Sequence, residues 1–120
     1  MTRVNVIPPS ELSDKHLLGE HHEVTRVFGL ARNAQWEMHK KKQPAVYTLG
    51  TGHVLFFYDK LGYISKRYGS ICKEMLSRGF KCNQIPENEL LQGIGKHMLW
   101  DYTPTHEAIE INRQRIKERS

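Results

Sequence analysis

The chain has 120 residues, 38% of them hydrophobic and 26% charged, with nine glycines, five prolines and a formal charge of +5. That is the size of one ordinary domain and a soluble globular composition; it excludes collagen-like and disordered chains and leaves no room for a second independent core. A small basic domain attracts polyanions, nucleic acid being the commonest, although the same charge also serves solubility alone.

The segment up to residue 7 alternates and then meets Pro8 and Pro9, so the chain start is expected to be extended and to enter no helix before residue 9. Ser10 offers an N-cap, with Glu11 placed in the first turn where the helix dipole favours an acid. From there to about residue 38 the pattern is helical, and Leu17, Val24, Val27, Phe28, Ala31 and Ala34 mark one apolar stripe. The basic run, proline and two glycines of residues 39–52 read as a loop, and GTGH is not a phosphate-binding glycine loop because no lysine stands at the required place.

The clearest helix carries Val54, Phe57, Leu61, Ile64, Tyr68, Ile71 and Met75 at alternating spacings of three and four, and ends at Gly79. Nothing else in the chain sustains heptads, so the stripe reads as a core helix rather than a coiled-coil seam. A short helix is expected within 86–92. Thr103 and Pro104 then look like the cap and first residue of a final helix bearing Arg113, Arg115, Lys117 and Arg119. The expectation is an all-α, single-domain fold over 1–120, with three main helices, long loops and an extended N-terminal segment.

Cys72 and Cys82 form no Cys-x-x-Cys pair, and the first 30 residues hold no apolar signal stretch. A reduced, cytoplasmic protein is expected. The longest apolar run, VLFFY at 54–58, is far too short to span a bilayer. His39, His53 and His97 read as surface or capping histidines, Trp36 and Trp100 as packing residues, and Cys72 as a buried thiol beside the second helix's seam.

HHEVTR, residues 21–26, is the most suggestive stretch. His16, Gly19, Glu23 and Arg26 are spaced to share one helix face, distinct from the apolar stripe. His21 and His22 are adjacent, so they point about 100° apart and cannot chelate one ion together; no metal and no cofactor is expected. Gly19 costs a helix about 1 kcal/mol relative to alanine, which either helix packing or the close approach of the N-terminal segment would explain. If the segment lies there, the chain start comes within reach of Glu23. Removal of Met1 would expose the α-amine of Thr2, which at an ordinary pKa of about 7.7–8.0 is partly neutral and nucleophilic at pH 7. A carboxylate beside it could stabilise an iminium and move protons. The same residues are equally consistent with an exposed terminus beside a surface glutamate.

MTRVN at the start, E-x-x-R at 23–26 followed by VFG, LGTGHVLFFYDKL at 49–61, KR at 66–67, RGF at 78–80, DYTPTHEA at 101–108 and the later QRI resemble the pyrimidine-dimer DNA glycosylases, in order and spacing. The resemblance implies an all-helical fold whose N-terminus threads between helices into the active site. It implies a metal-free glycosylase with coupled abasic-site lyase activity, in which the amine of Thr2 attacks the anomeric carbon and Glu23 serves as acid/base. It implies contacts to double-stranded DNA from Arg3, Arg26, Arg115 and Arg119, and His16 and His22 complete the expected DNA-binding set. A monomer of bacterial, phage or viral origin is the expectation.

Three departures accompany the resemblance. His22 stands where the family's type member has arginine, and Thr105 is inserted between Pro104 and His106. The type member also continues into an aromatic and basic tail beyond the last helix, so abasic-site cleavage is expected to be robust here and pyrimidine-dimer processing less efficient than in a tailed relative. The alternatives are a glycosylase/lyase for another damaged or modified base, and a basic DNA-binding domain without catalysis.

Overall fold

The computed structural model describes residues 3–34 and 40–119. Met1, Thr2, Trp36 and His39 therefore lie outside the described residues. Five α-helices follow one another there: α1 (Asp14–Val24), α2 (Arg26–Asn33), α3 (Leu61–Ser77), α4 (Glu87–Leu90) and α5 (His106–Glu118). Short 3-10 turns at Pro9–Glu11, Lys40–Lys42, Leu55–Phe57 and Lys96–Met98 join them. No strand occurs among the described residues, only an isolated antiparallel bridge between Lys60 and Leu99. The all-helical expectation holds, and among the described residues no helix is long and apolar enough to cross a membrane.

The helix starts differ from those expected. The two prolines hold Pro9–Glu11 in a 3-10 turn, Leu12 then turns extended and buries itself, and the cap passes from Ser10 to Ser13. Ser13 accepts a hydrogen bond from the His16 backbone N–H at 3.2 Å, with Asp14 in the first turn. At the other end Thr105, not Thr103, caps α5, its hydroxyl accepting from the Ala108 N–H at 3.1 Å. The residue that interrupts the family pattern thus supplies the helix with its N-cap.

The single long second helix is divided. Leu55–Phe57 forms a 3-10 turn preceded by Val54, and α3 begins only at Leu61. A tertiary contact explains the interruption: the Asp59 carbonyl accepts from the Trp100 N–H at 3.2 Å, and the Tyr63 N–H donates to the Trp100 carbonyl at 3.3 Å. Gly62 permits this approach, because a Cβ there would stand 2.5 Å from the Leu99 carbonyl oxygen. The first helix is likewise split, at Thr25.

The stripes themselves pack as the spacing requires. Leu17, Val24, Val27, Phe28 and Ala31 from the first two helices meet Leu61, Ile64, Tyr68, Ile71 and Met75 from α3 in one buried cluster. Phe56, Phe57 and Tyr47 extend it as edge-to-face aromatics. Gly79, at φ 86°, reverses the chain after α3, where the Phe80 N–H returns to the Met75 carbonyl at 2.9 Å. His97 is exposed, as expected, and Cys72 is buried. Two readings are corrected. His53 is buried, because both its ring nitrogens bond backbone groups. Trp100 is 67% exposed, because its backbone rather than its ring is what ties residues 99–100 to α3.

Candidate active site

Residues 3–7 form no regular element and are buried from Val4 to Ile7, yet they pair with no strand. Buried amides and carbonyls without partners would cost about 1–3 kcal/mol each, so each needs one. Side chains from distant segments supply them. The Val4 N–H donates to His53 Nε2 at 2.9 Å, and the Tyr47 hydroxyl donates to the Val4 carbonyl at 3.0 Å. The Asn5 N–H and side-chain amide both donate to Glu20 on α1, at 3.3 and 2.8 Å. Asn112 on α5 accepts from the Val6 and Ile7 N–H groups at 2.6 and 3.1 Å and donates to the Asn5 side-chain oxygen at 2.8 Å. Arg67 on α3 donates to the Ile7 carbonyl.

Two of these anchors fix their own ionisation. Arg67 grips both carboxylate oxygens of Glu20, Nε at 2.9 Å and Nη2 at 2.8 Å. Burial opposes the guanidinium charge, but the Glu20 carboxylate outweighs it and holds Arg67 above the ordinary arginine value. His53 Nδ1 lies 2.8 Å from the Thr48 carbonyl, to which it donates, leaving Nε2 as an acceptor for Val4. That tautomer belongs to the neutral ring, and burial pushes His53 below its usual value, against the opposing hydrogen bond to Thr48.

At its N-terminal end the segment delivers the Arg3 N–H to Glu23 Oε2 on α1, at 2.9 Å. This contact sits in a pocket of about 410 Å³ lined by Arg3, Asn5, Lys15, His16, Gly19, Glu20, Glu23, Arg115, Ile116 and Arg119. Of the two carboxylates, Glu20 is committed to Arg67 and Asn5, whereas Glu23 meets the chain start. Burial, then the charges of Arg115 and Arg119, hold Arg3 below the ordinary arginine value. Cations crowded this way attract an anion. Arg115 Nε and His16 Nδ1 are buried polar atoms with no hydrogen-bond partner among the described residues, which a bound anion or water would satisfy.

Arg3, His16, Glu23, Arg115 and Arg119, five residues singled out in the sequence, therefore come together around one pocket. Thr2 lies outside the described residues. His22 and Arg26 do not line the pocket; both are exposed, His22 on α1 just before Glu23 and Arg26 at the start of α2. Gly19 lines the pocket, and no atom of the described residues comes within 4 Å of where its Cβ would stand. Lys15, Glu20, Tyr47 and Asn112 escaped the sequence reading, which met His53 as a surface or capping histidine and Arg67 within the KR motif without giving either an anchoring role. The only signal was polar residues intruding on apolar faces: Arg67 stands one turn from Ile64 and Ile71, and Asn112 one turn from Ala108.

A model of the pyrimidine dimer DNA glycosylase family matches residues 1–88. The chain belongs to that family. The match takes in the N-terminal segment, α1 with Glu23, and the anchors Tyr47, His53 and Arg67. It stops short of α5, whose Arg115 and Arg119 join the pocket through the fold alone.

Proposed function

We propose that this chain removes damaged bases from double-stranded DNA, with ultraviolet pyrimidine dimers as the default substrate, and nicks the abasic strand it creates. The nucleophile in this reading is the α-amine of Thr2, exposed by removal of Met1, and Glu23 is the acid/base. One observation carries the reading: the backbone N–H of Arg3, the residue after Thr2, donates to Glu23 at the mouth of a cationic pocket. An amine one residue upstream of that contact is within about 3.8 Å, one Cα spacing, of the carboxylate's neighbourhood.

The chemistry then runs in two stages. The neutral amine attacks the anomeric carbon; a C–N bond forms as the glycosidic bond breaks and the base leaves with its electron pair. The ammonium so formed loses one proton, the nitrogen lone pair opens the C1′–O4′ bond as O4′ takes up a proton, and the Glu23 carboxylate stabilises the charge of the resulting iminium. A proton is next taken from the adjacent sugar carbon, the 3′ phosphate is expelled by β-elimination, and water releases the amine. Reaching the anomeric carbon requires the duplex to be kinked and a nucleotide extruded. Arg3, His16, Arg115 and Arg119 hold phosphate at the pocket, while His22 and Arg26 reach flanking phosphates outside it.

Borohydride trapping tests the reading. Reduction of the iminium should leave a covalent protein–DNA adduct on abasic and dimer-containing duplexes, and the adduct should map to Thr2. Binding without any adduct would instead identify a non-catalytic DNA-binding domain. An adduct on abasic DNA, with base release from some other lesion in a panel, would keep the chemistry and change the substrate.

A further inference from the structure

Between α1 and α3, at the edge of the apolar core, three residues that the proposed chemistry does not use converge. His21 on α1, Cys72 on α3 and Cys82 in the segment after Gly79 place one ligand atom each within 4.8 Å of the other two. His21 Nε2 lies 3.5 Å from Cys82 Sγ. Around a tetrahedral zinc ion, with Zn–S about 2.3 Å and Zn–N about 2.0–2.1 Å, neighbouring ligand atoms stand roughly 3.5–3.8 Å apart. The free protein is therefore already near ligand spacing.

We infer that His21, Cys72 and Cys82 form a binding site for a zinc ion, with solvent as the fourth ligand. The two thiolates and one imidazole are a soft donor set suited to zinc rather than to magnesium or calcium. His21 and Cys82 are half-buried, which leaves the fourth position open, while Cys72 is buried and closes the site from the core side. The His21 ring is held in place by stacking on Tyr68, with centroids 5.9 Å apart and planes 22° apart. On binding, two S–H bonds break, two Zn–S bonds form and two protons pass to solvent, leaving an electroneutral site. The ion would cross-link α1, two residues before Glu23, to the end of α3 and the chain beyond it. A disulfide between the same cysteines would leave the approach of His21 to Cys82 without a role.

The test uses reduced, chelator-stripped full-length protein titrated with Zn2+ against a chromophoric chelator, and separately with Co2+. One ion per chain and a near-ultraviolet thiolate-to-cobalt charge-transfer band are expected. The Cys82→Ser variant, altered at a half-exposed position, should lose the band and bind Zn2+ roughly a hundredfold more weakly or worse, since even outer-sphere partners cost 10–100-fold. His21→Gln should weaken binding while keeping a thiolate band. Absence of the band in the parent protein, or Zn2+ affinity unchanged in Cys82→Ser, would overturn the site. Borohydride trapping by Cys82→Ser at the parent level separates this site from the glycosylase chemistry, since the two stand or fall independently.

Discussion

Replacing Asn112 by alanine removes three hydrogen bonds at a position with no solvent exposure. The backbone N–H groups of Val6 and Ile7 and the side-chain oxygen of Asn5 all lose their partner in a buried setting. Each orphaned group costs about 1–3 kcal/mol, and because water can enter part of the vacated volume the sum should fall at about 3–6 kcal/mol. That is a large share of the 5–15 kcal/mol that typically separates folded from unfolded chains. Urea unfolding of both proteins measures it, and an Asn5→Ala/Asn112→Ala double-mutant cycle isolates their mutual coupling. The same change releases the segment that carries the chain start to Glu23. In material that remains folded, iminium trapping on abasic DNA should therefore drop by a larger factor than DNA binding does. A stability loss below about 1 kcal/mol, or trapping and binding reduced equally, would show that Asn112 does not hold the segment.

Glu23→Gln should keep DNA binding and lose strand cleavage, because the amide preserves shape but neither stabilises an iminium nor accepts its proton; cleavage at the parent rate removes Glu23 from the mechanism. Arg115→Ala should reduce the slope of log affinity against log salt by roughly one contact, about 0.9, on damaged and undamaged duplexes alike; an unchanged slope means that Arg115 meets no phosphate. Folding stability should fall as the pH drops below about 6.5: His53 and His21 are held below their usual values, so the unfolded chain takes up protons first and their contribution, complete above that pH, is lost towards the lowered folded values. His53→Gln should flatten that decline, and an identical pH profile would remove His53 as its source. Gly62→Ala, a change that favours most helices by about 1 kcal/mol, should instead destabilise, because the new Cβ meets the Leu99 carbonyl oxygen at 2.5 Å; thermal melts decide the sign.

Much of this protein was legible in one dimension because its periodicities are local. The spacing of Leu17, Val24, Val27 and Phe28, and of Leu61, Ile64, Tyr68, Ile71 and Met75, fixes which helix faces are buried wherever the helices end up. Proline at positions 8 and 9 keeps an α-helix from starting before them, and the three- and four-residue steps from His16 to Glu23 put both on one pocket-facing side of α1. Helix ends were less legible. Both misplaced caps had competing hydroxyls two or three residues away, Ser10 against Ser13 and Thr103 against Thr105, and only the burial of Leu12 and Ala108 selects between them. What the tertiary structure alone decided is how the N-terminal segment is held. Its partners Glu20, Tyr47, His53, Arg67 and Asn112 lie 15 to 107 residues away along the chain. A buried segment that joins no sheet must borrow side chains for its backbone, and a hydrogen bond across that separation leaves no periodic trace in the sequence. The same holds for Cys72, Cys82 and His21, which meet because α1 packs on α3 and the chain turns back at Gly79.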